Sequence, residues 1–181
     1  MAENMAVWVE VWPVAADQIG IWLLSGQDAW RPALAVPADS EPHAEVELEI
    51  AGHDASSGAN LLHSTSWRVD GPRVILTYIA VVEVSGFVRD EWPDALPIDF
   101  DLAKAVGRPP TNAANEAPAP RYIDVLLHAL RHLRFLIDHD ATAAAALTGH
   151  IREHLLPLAP ALAGMYGERH LSPIQATTQE N

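Results

Sequence analysis

The 181-residue chain contains no cysteine, which excludes disulfide bonds and metal sites built on thiolates. Lysine occurs once, at Lys104, and the formal net charge is -13. A surface of that sign repels phosphate backbones and argues against a nucleic-acid partner. No apolar run approaches the ~20 residues that a membrane-spanning helix needs, and Glu3 stands where a signal peptide would be basic. We therefore expect a cytoplasmic protein without a membrane partner.

Apolar residues make up 49% of the chain, which is ample for a core, and the most apolar run is the second arm of the segment 61–84. This segment is predicted to form two strands joined at Asp70-Gly71-Pro72, because Asp-Gly tolerates positive φ and proline cannot donate to a β-ladder. The second strand is apolar on both faces, which predicts cover on both sides and an interior place in the sheet. In the first strand, the odd-numbered residues from Leu61 to Val69 are predicted to share one face.

Residues 5–37 are predicted to form a β-meander. Val7–Trp12 alternates with the strand period and should end at Pro13. Ile19–Leu24 is a second apolar run, and Trp30–Val36 is a third candidate strand.

The acidic segment Glu41–Gly52 allows two interpretations. Apolar and glutamate side chains alternate between Ala44 and Ile50, which is the strand period. The segment is also rich in helix formers, with Pro42 placed for a first turn and Gly52 for the end. We favour the helix.

The C-terminal third is predicted to be helical. Arg121–Asp138 carries a wide apolar stripe at helical spacing, and Asp140 is placed to cap the helix that follows. The predicted organisation is an α/β domain over 1–106, an exposed Pro-rich connector over 107–120, a helical segment over 121–170 and a disordered tail over 171–181. The helical segment either packs on the sheet or forms a small subdomain. The fold class is α+β, with a mixed or antiparallel sheet around the central hairpin 61–84, flanked by helices.

Paired histidines and glutamates are the candidate metal ligands, because residues four apart share one face of a helix. They are His128, His132, His150, His154, Glu45 and Glu49. A metal site needs a further ligand, and the His-Glu-x-x-His signature is absent from the sequence. The other interpretation is that these side chains are solvated, and we therefore expect no cofactor. A bound divalent metal is the alternative.

Aromatic residues of the predicted strands are the candidate ligand-binding residues, because tryptophan is favoured at interfaces. They are Trp8, Trp12, His63, Trp67 and Tyr78. The alternative is that they belong to the core. No Gly-x-Ser-x-Gly elbow and no phosphate-binding loop occurs, so no residue is assigned a catalytic role.

The order of elements, with early strands, an acidic segment ending in Gly52, a strand pair and a C-terminal helix, resembles a Nudix hydrolase domain over residues 5–137. With Gly52 placed as the final glycine of the Nudix box, only Glu49 matches a box carboxylate. The resemblance implies a mixed sheet between helices and a domain that has lost pyrophosphate cleavage.

The leading hypothesis is a non-catalytic interaction or ligand-binding protein that pairs with itself as a homodimer or with another protein. A metal-dependent hydrolase of nucleotide-type substrates is the first alternative, and a structural subunit of a larger assembly is the second. The Ala- and Arg-rich, Lys-poor composition is typical of a bacterial genome of high GC content.

Overall fold

The structure is a computed structural model that describes residues 5–53, 58–101 and 121–163. The five strands are β1 (Ala6–Ala16), β2 (Ile21–Leu23), β3 (Ala59–Asp70), β4 (Arg73–Val82) and β5 (Leu96–Pro97). The five helices described are α1 (Pro42–Gly52), α2 (Val88–Glu91), α3 (Tyr122–His139), α4 (Ala141–Ala146) and α5 (Gly149–Leu155). The predicted α+β class is confirmed.

The strands form one mixed sheet in the order β3-β4-β1-β2-β5. β1 runs parallel to β4, and the other neighbours are antiparallel. The predicted central hairpin is β3–β4, and Gly71 in its turn adopts a φ of 56° that favours glycine. β4 lies inside the sheet and is covered on both faces, as its apolar pattern predicts.

Helices cover the two faces of the sheet unequally. The α3, α4 and α5 side chains form the largest core with Trp12 of β1 and Ile79 of β4. On the opposite face, Val46 and Ile50 of α1 pack against Val9 and Val11. The segment predicted as either helix or strand is thus a helix. Val46 and Ile50 are four residues apart, so they lie on one side of this helix and are buried together.

β1 continues through Pro13, so the prediction that proline ends this strand is wrong. The Pro13 carbonyl accepts from Leu24 N at 2.9 Å, on the side of β1 that faces β2. In an extended residue the N and C=O point to the same side, so the missing N–H of Pro13 faces the end of the three-residue β2. The ladder to β4 therefore loses no donor.

The prediction of a third strand over Trp30–Val36 is also wrong, because this segment contributes an isolated bridge at Trp30 and one hydrogen bond from Val36 N to Val7 O at 2.8 Å. Trp30 N and O pair with Val11 at 3.0 and 2.9 Å. The bridge fixes the Trp30 backbone against β1 without building a ladder.

A β-bulge corrects the predicted faces of β3. Pairing shifts between Ser64 and Ser66, so Thr65 is the extra residue, and its hydroxyl donates to Thr77 O at 3.3 Å. Leu61 lies on the α3 side, but beyond the bulge Arg68 takes that side. Trp67 is turned to the opposite face. One inserted residue reverses every side chain that follows it.

Helix α3 begins and ends one residue later than the predicted Arg121–Asp138. Asp140 Oδ1 accepts from Thr142 N at 2.8 Å and Ala143 N at 3.0 Å, which confirms it as the cap of α4. Among residues 5–53, 58–101 and 121–163, no helix is long and apolar enough to cross a membrane. The predicted connector 107–120 and tail 171–181 lie outside the described residues.

Candidate functional site

Glu10 lies in the middle of β1 and points into the layer between the sheet and α3. It is 1% exposed, although a buried carboxylate is costly unless it is paired. Its Oε1 accepts from Arg68 Nη1 and from Thr77 Oγ1, the latter at 2.9 Å. Its Oε2 accepts from Arg68 Nη2 at 2.8 Å and from Arg31 Nη2 at 3.1 Å. Two guanidinium groups therefore share one carboxylate.

Three separate segments bring these partners to Glu10. The parallel register of β1 and β4 places Thr77 directly opposite Glu10. The bulge in β3 turns Arg68 to the same face. Arg31 comes from the loop after β2, next to the Trp30 backbone that is held by Val11.

The arginines keep Glu10 ionised. Burial raises the pKa of Glu10, but the hydrogen bonds and charge of Arg68, the Thr77 hydroxyl and the charge of Arg31 outweigh it, so the pKa lies below its ordinary value. Arg31 and Arg68 thus place two cationic groups beside one carboxylate in a chain of net charge -13.

A cleft of about 320 Å³ opens beside the cluster. Its lining consists of Glu10, Trp12, Gln27, Asp28, Arg31, Arg68, Tyr122 and Val125. The Arg31 side chain is 45% exposed, and within the described residues it bonds to Glu10 alone. Trp12 is 4% exposed, and its indole N–H has no acceptor in the described part of the chain. The cleft thus contains two groups with N–H donors that make no hydrogen bond to the described residues, the Trp12 indole and the Arg31 guanidinium.

Asp17 shows what a buried carboxylate with a structural role looks like here. Its Oδ1 accepts from Ile19 N, Gly20 N and Trp22 Nε1, and its Oδ2 accepts from Val88 N at 3.0 Å. Burial raises the pKa of Asp17, but these four donors lower it by more, so the pKa lies below its ordinary value. All four donors are neutral, so Asp17 ties β2 and α2 to β1 without using a charged side chain. Glu10 differs because its main partners are charged and reach solvent.

The five predicted ligand-binding residues do not form one site. Trp12 lines the cleft, and Trp8 lies on the same face under the Arg73 guanidinium, 4.9 Å from its ring. Tyr78 packs on the α1 face, where burial raises its pKa, and Trp67 is 66% exposed on that face. His63 faces α3 on the same side of the sheet as Trp12, but it contacts His132 and does not line the cleft.

Two histidines from different elements meet between β3 and α3. His63 Nε2 lies 3.1 Å from His132 Nε2, and His132 Nδ1 lies 3.1 Å from Ala161 O. A carbonyl only accepts, so neutral His132 carries its proton on Nδ1 and its Nε2 accepts from His63. Burial lowers the pKa of both rings, which favours this neutral pair.

The histidines of each predicted i, i+4 pair have different partners. His132 is 5% exposed and contacts His63, and burial lowers the pKa of the neighbouring His128. His150 Nδ1 lies 3.1 Å from Glu153 Oε2, and His154 Nε2 bonds to Asp17 O at 2.9 Å. Within the described ranges, no three His, Asp or Glu side chains gather closely enough to hold a metal ion.

The predicted glutamate ligands belong to α1. Glu45 lies in its first turn, and Glu49 Oε1 lies 3.1 Å from His53 Nε2. This leaves Glu49 engaged at the end of the helix, on the side of the sheet opposite the Glu10 cluster.

Sequence reasoning missed Glu10, Arg31 and Arg68. One signal could have found Glu10: it is the charged residue on the tryptophan face of an otherwise apolar strand, and it would need cationic partners. A scan against protein-family models, a search of curated proteins and a search of solved structures find no match. The function of this chain is therefore inferred from its own geometry.

Proposed function

We propose that this chain is a non-catalytic cytoplasmic protein that binds a small organic monoanion, such as a carboxylate, in the cleft beside Glu10. The observation that carries the proposal is the excess of donors there. Arg31 keeps N–H groups free of hydrogen bonds to the described residues, and the buried Trp12 indole N–H has no acceptor among them. A guanidinium fork matches a carboxylate in a bidentate way.

The rest of the lining limits the ligand. Trp12, Tyr122 and Val125 offer apolar surface, so an aromatic or aliphatic acid fits better than a bare inorganic ion. Asp28 also lines the cleft and opposes a second negative charge. The volume of about 320 Å³ is near the lower end of ligand pockets, roughly 300–1,000 Å³. These features favour a small monocarboxylate.

Calorimetric titration with phenylacetate and with the neutral phenylacetamide tests the proposal. The acid should bind at least about tenfold more tightly, because a hydrogen bond to a charged group contributes about 1.5–3 kcal/mol. Arg31→Gln should remove that preference. Arg73→Gln makes the same change at an arginine outside the cleft and should leave it intact. Equal affinity for acid and amide would refute the proposal.

The non-catalytic part of the proposal is supported by the engagement of the candidate acids. Glu10 is saturated by arginines and a hydroxyl, which leaves it a poor general base. Glu49, the one carboxylate that the Nudix resemblance retains, is occupied by His53. The proposed Nudix-like layout would then serve binding alone.

A metal-dependent hydrolase is the second candidate, favoured by the 3.1 Å approach of His63 and His132. The Nδ1 of His132 faces a backbone carbonyl, as is common for histidines that bind metal through the other nitrogen. Elemental analysis of the purified protein tests it. Stoichiometric zinc or another transition metal that is lost in His132→Ala and kept in His150→Ala would favour the enzyme. Metal-free protein would remove it.

A further inference from the structure

A second cleft shares no lining residue with the cleft beside Glu10. It has a volume of about 320 Å³. Its lining includes Ser25, Trp30, His53, Glu91, Trp92 and Asp94. No arginine or lysine is among these described residues, so aromatic rings and carboxylates dominate the cleft.

The aromatic rings of the second cleft are held in place. The Trp30 backbone is bridged to Val11, and its ring stacks on His53 with centroids 4.1 Å apart and planes 4° apart. The Trp92 ring lies 5.9 Å from Trp30 at 39°. Trp92 follows α2, and its N donates to Val88 O at 2.7 Å. Two indoles anchored by separate elements therefore border one cleft.

The charge of the second cleft is negative. Glu91 Oε1 accepts from Ser85 N at 2.8 Å and Ser85 Oγ at 3.0 Å, and its Oε2 has no hydrogen bond among the described residues. Asp94 is exposed and has no hydrogen bond there either. The Ser25 hydroxyl is buried and also lacks a partner in the described part of the chain.

We propose that the second cleft binds a small organic cation, a quaternary or protonated amine. Aromatic faces attract a cation through their quadrupole, most strongly for tryptophan, and desolvated sites strengthen the effect. The Glu91 and Asp94 carboxylates add attraction that a neutral ligand would not feel. The Ser25 hydroxyl offers a hydrogen bond to a polar group on the ligand, such as an alcohol. The net charge of -13 further raises the local concentration of cations.

Choline and its neutral isostere 3,3-dimethylbutan-1-ol are the probes, since they share shape and hydroxyl and differ in charge. Calorimetric titration should show choline binding about tenfold or more tightly than the alcohol. Glu91→Gln combined with Asp94→Asn should reduce that ratio by about fivefold or more, since both side chains keep their size and lose their charge. The amide oxygen introduced by Glu91→Gln would still accept from Ser85. Asp90→Asn on the same helix is the matched control and should keep the ratio.

Trp92→Leu provides the second measurement, because it removes one ring and leaves both carboxylates. It should weaken choline by about tenfold, with circular dichroism checking that the fold is kept. If Trp92→Leu unfolds the chain, the charge variants decide. Equal binding of choline and the alcohol, or choline affinity unchanged in the double charge variant, would overturn the proposal. Choline should not displace phenylacetate. A negative result for the cation proposal therefore leaves the anion proposal unaffected, and the converse also holds.

Discussion

Arg68→Met is the sharpest test of how the buried carboxylate is held. The substitution keeps most of the apolar stem of Arg68 and removes the guanidinium that donates to both Glu10 oxygens. Glu10 would keep Thr77 and the more exposed Arg31. The perturbation therefore isolates the main charge partner of a residue that is 1% exposed.

Removing one partner of a buried ion pair typically costs about 3–5 kcal/mol, because the remaining charge stays buried and unpaired. Here Arg31 and Thr77 partly compensate, and Arg68 itself is 32% exposed. We therefore expect Arg68→Met to lower the free energy of unfolding by about 3 kcal/mol. Adding Glu10→Met should recover most of that loss, since apolar replacements of a buried pair are often neutral.

Urea denaturation followed by circular dichroism measures both variants, with the slope of unfolding checked for two-state behaviour. The interaction energy from the double-mutant cycle should exceed about 1.5 kcal/mol. Arg73→Met, which removes an arginine over Trp8 on the neighbouring strand, should cost less than about 1 kcal/mol. An Arg68→Met variant within about 0.5 kcal/mol of wild type would show that Glu10 does not depend on this guanidinium.

Three further predictions follow from contacts elsewhere. The lowered pKa values of His63 and His132 mean that the unfolded chain binds protons which the folded chain does not, so stability should fall as the pH drops below ~6.5. The urea midpoint at pH 5.5 should lie below that at pH 7.5, and His132→Gln should lessen the difference. Asp140→Ala removes the cap of α4 and should cost about 1 kcal/mol of unfolding free energy in the same assay, whereas Asp138→Ala should cost less. The long edge strand β3 exposes 66% of Trp67, so light scattering should find a dimer that Trp67→Lys disrupts; a monomer at micromolar concentration would refute this.

Elements that depend on local pattern could be predicted from the sequence. The α3 stripe, the Asp140 cap and the hairpin turn at Gly71 are each set by neighbours in the chain. The apolar β4 had to be covered on both faces, whichever helices supplied the cover. In each case the pattern that predicts the feature lies within one short segment of the chain.

The candidate site could not be predicted in the same way, because it depends on pairing between distant segments. A bulge at Thr65 moves Arg68 to the Glu10 face, and no local signal marks an inserted residue in a strand. Arg31 reaches the site through one bridge at Trp30 rather than through a strand. The presence of Pro13 inside β1 was likewise not predictable, since its cost depends on which neighbour its missing N–H faces.

The two proposed clefts stand in opposite relations to the charge of the whole chain. The net charge of -13 attracts a cation to the Trp30–Trp92 cleft and repels an anion from the Arg31 cleft. At ~0.1 M salt the Debye length is about 10 Å, so salt screens this long-range field but weakens direct contacts near 3 Å much less. Rising salt should therefore weaken choline binding while it leaves phenylacetate binding unchanged or slightly stronger. Titrations in which the affinities of both ligands fall in parallel from low to high salt would refute this reasoning, because the field of the chain acts on a cation and an anion with opposite sign.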